Sequence, residues 1–160
     1  MRARTSKRDS DDGLMMVELR NAQKAVRIDA GRLKRQAQAA LEEIGMGERL
    51  LSILLTGDGE MARLHERWMD DPSPTDVLSF PAGAVPGGPA VSSPPRILGD
   101  IAISTETAAR RRPADPQAEI RRYLIHGILH LAGHDHRTKP ERLRMSRQAR
   151  RLELLCRARG

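Results

Sequence analysis

Residues 126–136 read His126-Gly127-Ile128-Leu129-His130-Leu131-Ala132-Gly133-His134-Asp135-His136. Positions four apart on a helix lie on one face, about one turn from each other, so His126 and His130 can reach one metal ion together. Gly133 can take the left-handed conformation that ends a helix and turns the chain back, and the returning segment would bring His136 to the same ion. Three imidazoles leave a fourth tetrahedral position open for water, which is the arrangement of a catalytic zinc site rather than a closed structural one. His134 is offset from this trio and is expected to face solvent or substrate. Asp135 is expected to act from behind the ligands, orienting an imidazole or steadying the turn.

Such a site needs a stiff helix under two of its ligands. Asp115-Pro116 has the form of a helix start, and Ile120, Leu124, Ile128 and Leu131 then recur along one side to Ala132. Ile125 and Leu129 widen that stripe, so the helix should be central. Upstream, Leu14–Leu19 reads as a strand. Asp29 can cap a helix carrying Leu33, Ala37, Leu41 and Ile44, ended by Gly45 and Gly47. The run Arg49–Thr56 has the length and apolarity of a strand covered on both faces. Gly57-Asp58-Gly59 turns into a helix with Met61, Leu64 and Trp68 on one face, stopped by Pro72 and Pro74. His65 on that helix is expected to be a surface polar residue.

Val77–Phe80 reads as a short buried strand and Ile97–Ile103 as another. Between them the Pro- and Gly-rich segment 81–95 reads as a surface loop. Ser104 or Thr105 starts a helix to Arg111, and Pro140 opens an Arg-rich helix to about Arg157. The expected fold class is α/β (α+β): a small four-stranded mixed sheet packed with about five helices, with the metal site on a central helix. Residues 1–13 read as a charged tail and 14–157 as a single domain.

The chain has 160 residues, enough for one domain with a real core. Lys and Arg number 28 against 21 Asp and Glu, a formal charge of +7 that would attract polyanions such as RNA. Trp68, Phe80 and Tyr123 are the only aromatics, so phosphate contacts rather than many stacked bases would dominate RNA binding. Arg121, Arg122 and Arg137 flank the histidines and are candidates for those contacts; Arg110 to Arg112 and the basic last helix are weaker ones. Cys156 stands alone, which excludes an intrachain disulfide. No apolar run approaches membrane-spanning length and no secretory leader is evident, so the cytoplasm is the expected compartment.

His126, His130, Gly133 and His136 resemble the metzincin protease pattern, but Gly127 stands where those proteases keep the Glu that takes a proton from zinc-bound water. A better resemblance is to the bacterial YbeY family of endoribonucleases. Its metal motif matches residues 126–136 throughout. Its Pro-Thr-Asp/Asn-Val-Leu-Ser-Phe-Pro signature stands at Pro74–Pro81, and its Leu-Gly-Asp-Ile-x-Ile-Ser signature at Leu98–Ser104. The similarity covers about residues 14 to 155. It implies a four-stranded mixed sheet with surrounding helices. It also implies a zinc-dependent, single-strand-specific endoribonuclease acting in ribosomal RNA maturation, at the small-subunit rRNA 3′ end, and in ribosome quality control.

On that resemblance His126, His130 and His136 hold one Zn2+, and the partners are single-stranded RNA, the rRNA precursor and the ribosome or its proteins. Many members carry an arginine after the aromatic residue preceding Pro-Thr-Asp; here Met69 follows Trp68, with Arg63 and Arg67 upstream. Two other readings of the residues stand beside this one. One is a metalloprotease-like zinc hydrolase; the other is a non-catalytic RNA- or ribosome-binding protein with a structural metal. The sequence leaves open whether water or the RNA 2′-hydroxyl would be the nucleophile.

Overall fold

The computed structural model describes residues 15–71, 73, 75–83 and 96–159. The expected tail 1–13, Leu14, Pro72, Pro74 and residues 84–95 of the expected loop lie outside the described residues.

Side-chain caps set where the helices begin. Asp29 accepts the Arg32 amide and starts α1 (Ala30–Glu43). Asp115 accepts the Ala118 amide and starts α4 (Pro116–Leu131), with proline in the first turn, where its missing N–H costs nothing. Ser104 caps α3 (Thr105–Arg111). Thr138 caps α5 (Lys139–Ala158) in a reciprocal pair with Glu141. The helix α2 (Asp58–Met69) begins directly at Asp58, and its C-cap Asp70 is left-handed at φ 55°.

The strands are β1 (Val17–Asn21), β2 (Leu50–Thr56), β3 (Val77–Pro81) and β4 (Ile97–Ser104). They form one sheet in the order β1-β2-β4-β3. β1, β2 and β4 run parallel, and β3 pairs antiparallel along the outer side of β4. Alternation then separates two faces. Val17, Leu51, Ile53, Leu55, Ile101 and Ile103 point to one side and join α1, α4 and α5 in the main core. Leu78 and Ala102 point to the other side, where they meet Met61 of α2 in a smaller cluster.

Two strand expectations change. β2 is fully buried only on the main-core side, because Ser52 and Leu54 on the other face are half-exposed. α2 covers the β3–β4 half of that face and leaves the rest open. β3 is an edge strand with only Leu78 buried.

α4 is the hub of the main core. Ile120, Ile128 and Leu129 have no exposed surface and Leu124 almost none. Burying side chains of this size contributes about 1.5–3 kcal/mol each. The helix presses close to the sheet at Gly127, where a Cβ would stand 2.9 Å from Ile101 Cδ1 and 3.1 Å from Ser79 Oγ. Ser79 Oγ donates to the Gly127 carbonyl at 3.4 Å, tying β3 to the metal-motif helix. A second tie, this one ionic, joins α4 to α5: Arg121, buried, donates from Nε to Glu153 at 2.8 Å.

Candidate metal centre

His126 and His130 project from the last turns of α4 on the one side that the core leaves open. Their neighbours Ile125, Gly127, Ile128 and Leu129 are buried, so the helix cannot roll without exposing core surface. The chain leaves α4 through Ala132. Gly133 then takes φ +93°, a conformation that side chains with a Cβ rarely adopt. The His134 amide donates to the Leu129 carbonyl at 2.9 Å and the Gly133 amide to the His130 carbonyl at 3.0 Å, closing the turn. The Asp135 carboxylate accepts the His136 amide at 2.7 Å and pairs through its other oxygen with Arg137 at 3.0 Å. The turn thus swings His136 back over the helix end.

The three rings converge. Their centroids lie 4.5 Å apart for His126–His130, 5.1 Å for His130–His136 and 6.0 Å for His126–His136. One nitrogen from each ring lies within 4.8 Å of the other two. The Nε2 atoms of His126 and His130 are 2.9 Å apart. Ligand nitrogens about 2.0–2.1 Å from a tetrahedral ion stand a little over 3 Å from each other, so the cluster is of the size a single ion requires. Burial and the neighbouring imidazoles push the His126 and His130 pKa values below the usual histidine value. Neutral imidazole is the form that binds a metal. The donor set therefore fits a nitrogen-loving divalent ion.

The trio opens on a cleft of about 730 Å³. Its walls include the edge strand (Asp76 to Ser79 and Pro81), the exposed Met69, and the turn residues His134, Asp135 and Arg137. Asp76 was not singled out from the sequence, where it reads only as the lead into a strand. Its Oδ1 accepts the Val77 amide at 2.8 Å.

The other expectations sort plainly. His134 lies in the cleft wall, beside the trio. Asp135 steadies the turn. Arg137 is exposed and borders the cleft. Arg121 is a correction: a side chain that is 7% exposed and locked onto Glu153 is unavailable to phosphate. It faces α5 because α4 is enclosed around most of its circumference. Arg122 is solvent-exposed, but it folds back on Glu119 at 2.6 Å and over the Tyr123 ring, outside the cleft wall. Arg110 pairs with Asp58 at 2.6 Å. His65 donates from Nδ1 to the Ser73 carbonyl at 2.8 Å and takes no part in the trio.

Comparison with known proteins agrees with this geometry. A family profile described as Endoribonuclease YbeY matches residues 18–154. A protein named Endoribonuclease YbeY from Anaeromyxobacter sp. (strain Fw109-5) is 41% identical over 137 residues, covering 84% of this chain and 68% of that protein. Its namesake from Thermobifida fusca is 42% identical over 136 residues, covering 82% and 87%. That from Thermus thermophilus is 40% identical over 129 residues, covering 79% and 90%. The solution structure of a Thermotoga maritima protein shares the fold, with a TM-score of 0.54 at 23% identity over 88% of each chain. With the profile spanning every element from β1 to α5, this chain belongs to the YbeY endoribonuclease family.

Proposed function

We propose that this chain is a zinc-dependent, single-strand-specific endoribonuclease that matures ribosomal RNA at the small-subunit 3′ end and acts in ribosome quality control in the cytoplasm. The observation that carries the reading is the convergence of His126, His130 and His136 at the floor of an open cleft, in a chain of this family. The charge of +7 supports an RNA substrate and a ribosomal partner.

Phosphodiester hydrolysis needs an activated oxygen nucleophile and neutralisation of the charge that gathers on phosphorus-bound oxygens. A divalent ion held by His126, His130 and His136 would supply Lewis acidity at this point, to acidify an oxygen nucleophile or to polarise a phosphoryl oxygen. The chain's part is to hold and complement that ion. The three imidazoles fix its place. Asp76 sets a carboxylate in the cleft wall, where it can accept a proton. Arg137 offers a guanidinium at the rim that can exchange Asp135 for a phosphate.

A protease reading is opposed by position 127. It faces Ile101 and Ser79 in the core rather than the ion, and it has no room for the glutamate a peptidase would need. The test uses purified protein and single-stranded ribosomal RNA, with and without chelator, beside a folded His130→Ala variant. Cleavage by the metal-loaded protein alone is the expected result. Cleavage persisting with chelator and in the variant would overturn the proposal, and elemental analysis of the active protein should find about one zinc per chain.

A further inference from the structure

The half-open sheet face carries a second groove of about 400 Å³, on the side of the sheet away from α4. Strand register fixes its floor. Phe80 on β3, Asp100 on β4, Ser52 on β2 and Glu18 on β1 are successive cross-strand partners and form one transverse row. The next row is Leu78, Ala102, Leu54 and Arg20. Trp68, at the end of α2, leans over the first row with its ring centroid 4.8 Å from that of Phe80. Two of the chain's three aromatic side chains thus wall one groove.

The polar groups in it are few. Neither Asp100 nor Arg20 has an ion-pair partner among the described residues. Asp100 is exposed on this face, and partial desolvation holds its carboxyl above the usual aspartate range, offset in part by a hydrogen bond from its register partner Ser52. A carboxylate in that setting gains most from a ligand that brings paired N–H donors and an apolar flat body together. The groove also adjoins the metal cleft. Pro81 lines both, and Met69 in the cleft wall follows Trp68 in the groove. A chain lying in the cleft can cross the β3 edge at Pro81 and place its next flat group on Trp68.

Resting on the endoribonuclease reading, we infer that this groove is a base-binding subsite for the RNA strand held at the metal centre, with the contacting Trp68–Phe80 pair as one stacking platform and Asp100 as the acceptor. Guanine is the base that fits. Its N1–H and N2–H donors lie side by side, as the two oxygens of a carboxylate do, whereas adenine, cytosine and uracil present no such adjacent pair on that edge. Arg20 lies across the groove floor, where it can meet the O6 carbonyl or a flanking phosphate.

Trp68 is the sole tryptophan, so its emission reports the groove directly. The probe is guanosine 5′-monophosphate, with the adenosine, cytidine and uridine monophosphates as controls. Saturable quenching by the guanine nucleotide is expected at concentrations where the others quench at least about tenfold more weakly, the discrimination a paired, charge-assisted hydrogen bond provides. Asp100→Asn, checked for fold by circular dichroism, should lose that preference. His130→Ala should keep it, because the readout needs neither metal nor cleavage. Equal quenching by all four nucleotides, none by any, or a preference unchanged in Asp100→Asn would overturn the inference. A groove that holds a protein segment instead would give the result with no quenching. Failure of cleavage with guanine-selective quenching intact would leave the subsite standing and count against the endoribonuclease reading alone.

Discussion

Gly127 is in contact with Ile101 where the metal-motif helix crosses the sheet: a Cβ at 127 would stand 2.9 Å from Ile101 Cδ1 and 3.1 Å from its Cγ2. The glycine is what lets α4 lie close enough for Ser79 to reach its carbonyl. Gly127→Ala is expected to destabilise the fold by about 1–3 kcal/mol, the usual cost of overpacking a filled core. Gly127→Glu should fail to fold or melt far lower, and it should gain no peptide hydrolysis. Thermal denaturation and a casein assay read the two outcomes.

Arg121 and Arg137 lie on opposite sides of the histidine motif and should respond in opposite ways. Arg121→Ala removes a buried guanidinium from the half-buried Glu153, which keeps only Arg157 at 3.6 Å, and is expected to cost about 1–3 kcal/mol in urea denaturation. Arg137, with its side chain 86% exposed, should be neutral for stability. Its loss should weaken RNA binding and flatten the salt dependence of affinity by about one counterion. Fluorescence anisotropy against salt concentration measures this.

Asp58 sits at the start of α2 and ties it to α3. Burial opposes its ionisation, but hydrogen bonds from Arg110, Ser104 and Thr107 and the Arg110 charge outweigh burial and hold the pKa below 3.8. The folded state then binds fewer protons than the unfolded chain. Its contribution is full above pH 3.8 and is lost as pH falls through the lower, folded value. Asp58→Asn should lose about 1–3 kcal/mol at neutral pH. It should also show a shallower acid limb than the parent in denaturation series below about pH 4.

Cys156 is buried against α1, its thiol pushed up to about 11 by burial and by Glu153. Its Sγ lies 3.5 Å from the Gln36 carbonyl. A neutral, enclosed thiol is a poor nucleophile. Titration with an aromatic disulfide reagent at about pH 8 should show no fast-reacting thiol in the native protein and one equivalent in denaturant.

The histidine trio was legible because its placement is local. A four-residue offset, a glycine and a six-residue return describe the trio without any long-range contact, and the rings do converge. The caps Asp29 and Asp115 were legible for the same reason, since a cap acts within three residues. Pro140 marks the opening of the last helix only approximately, because the stronger signal lies just before it: Thr138 and Glu141 have the spacing of a reciprocal cap. The fate of each arginine was not legible. Arg121 and Arg122 are neighbours of identical chemistry, and only the approach of α5 decides that one is enclosed and the other not. The exposure of one side of β2 was hidden likewise, because an apolar run does not tell how much of a sheet a twelve-residue helix will cover.

Two of the three imidazoles stand on a helix whose other sides are fixed in the core, and the third hangs from a short exposed turn already closed by its own hydrogen bonds. The centre is therefore half assembled before any ion arrives. Capture of an ion would have to still only a few residues between Gly133 and Thr138, so little ordering entropy would be set against the coordination energy. The same few residues lead directly into the Thr138 cap of α5, so any stiffening of the turn by an ion would be felt first where that basic helix begins.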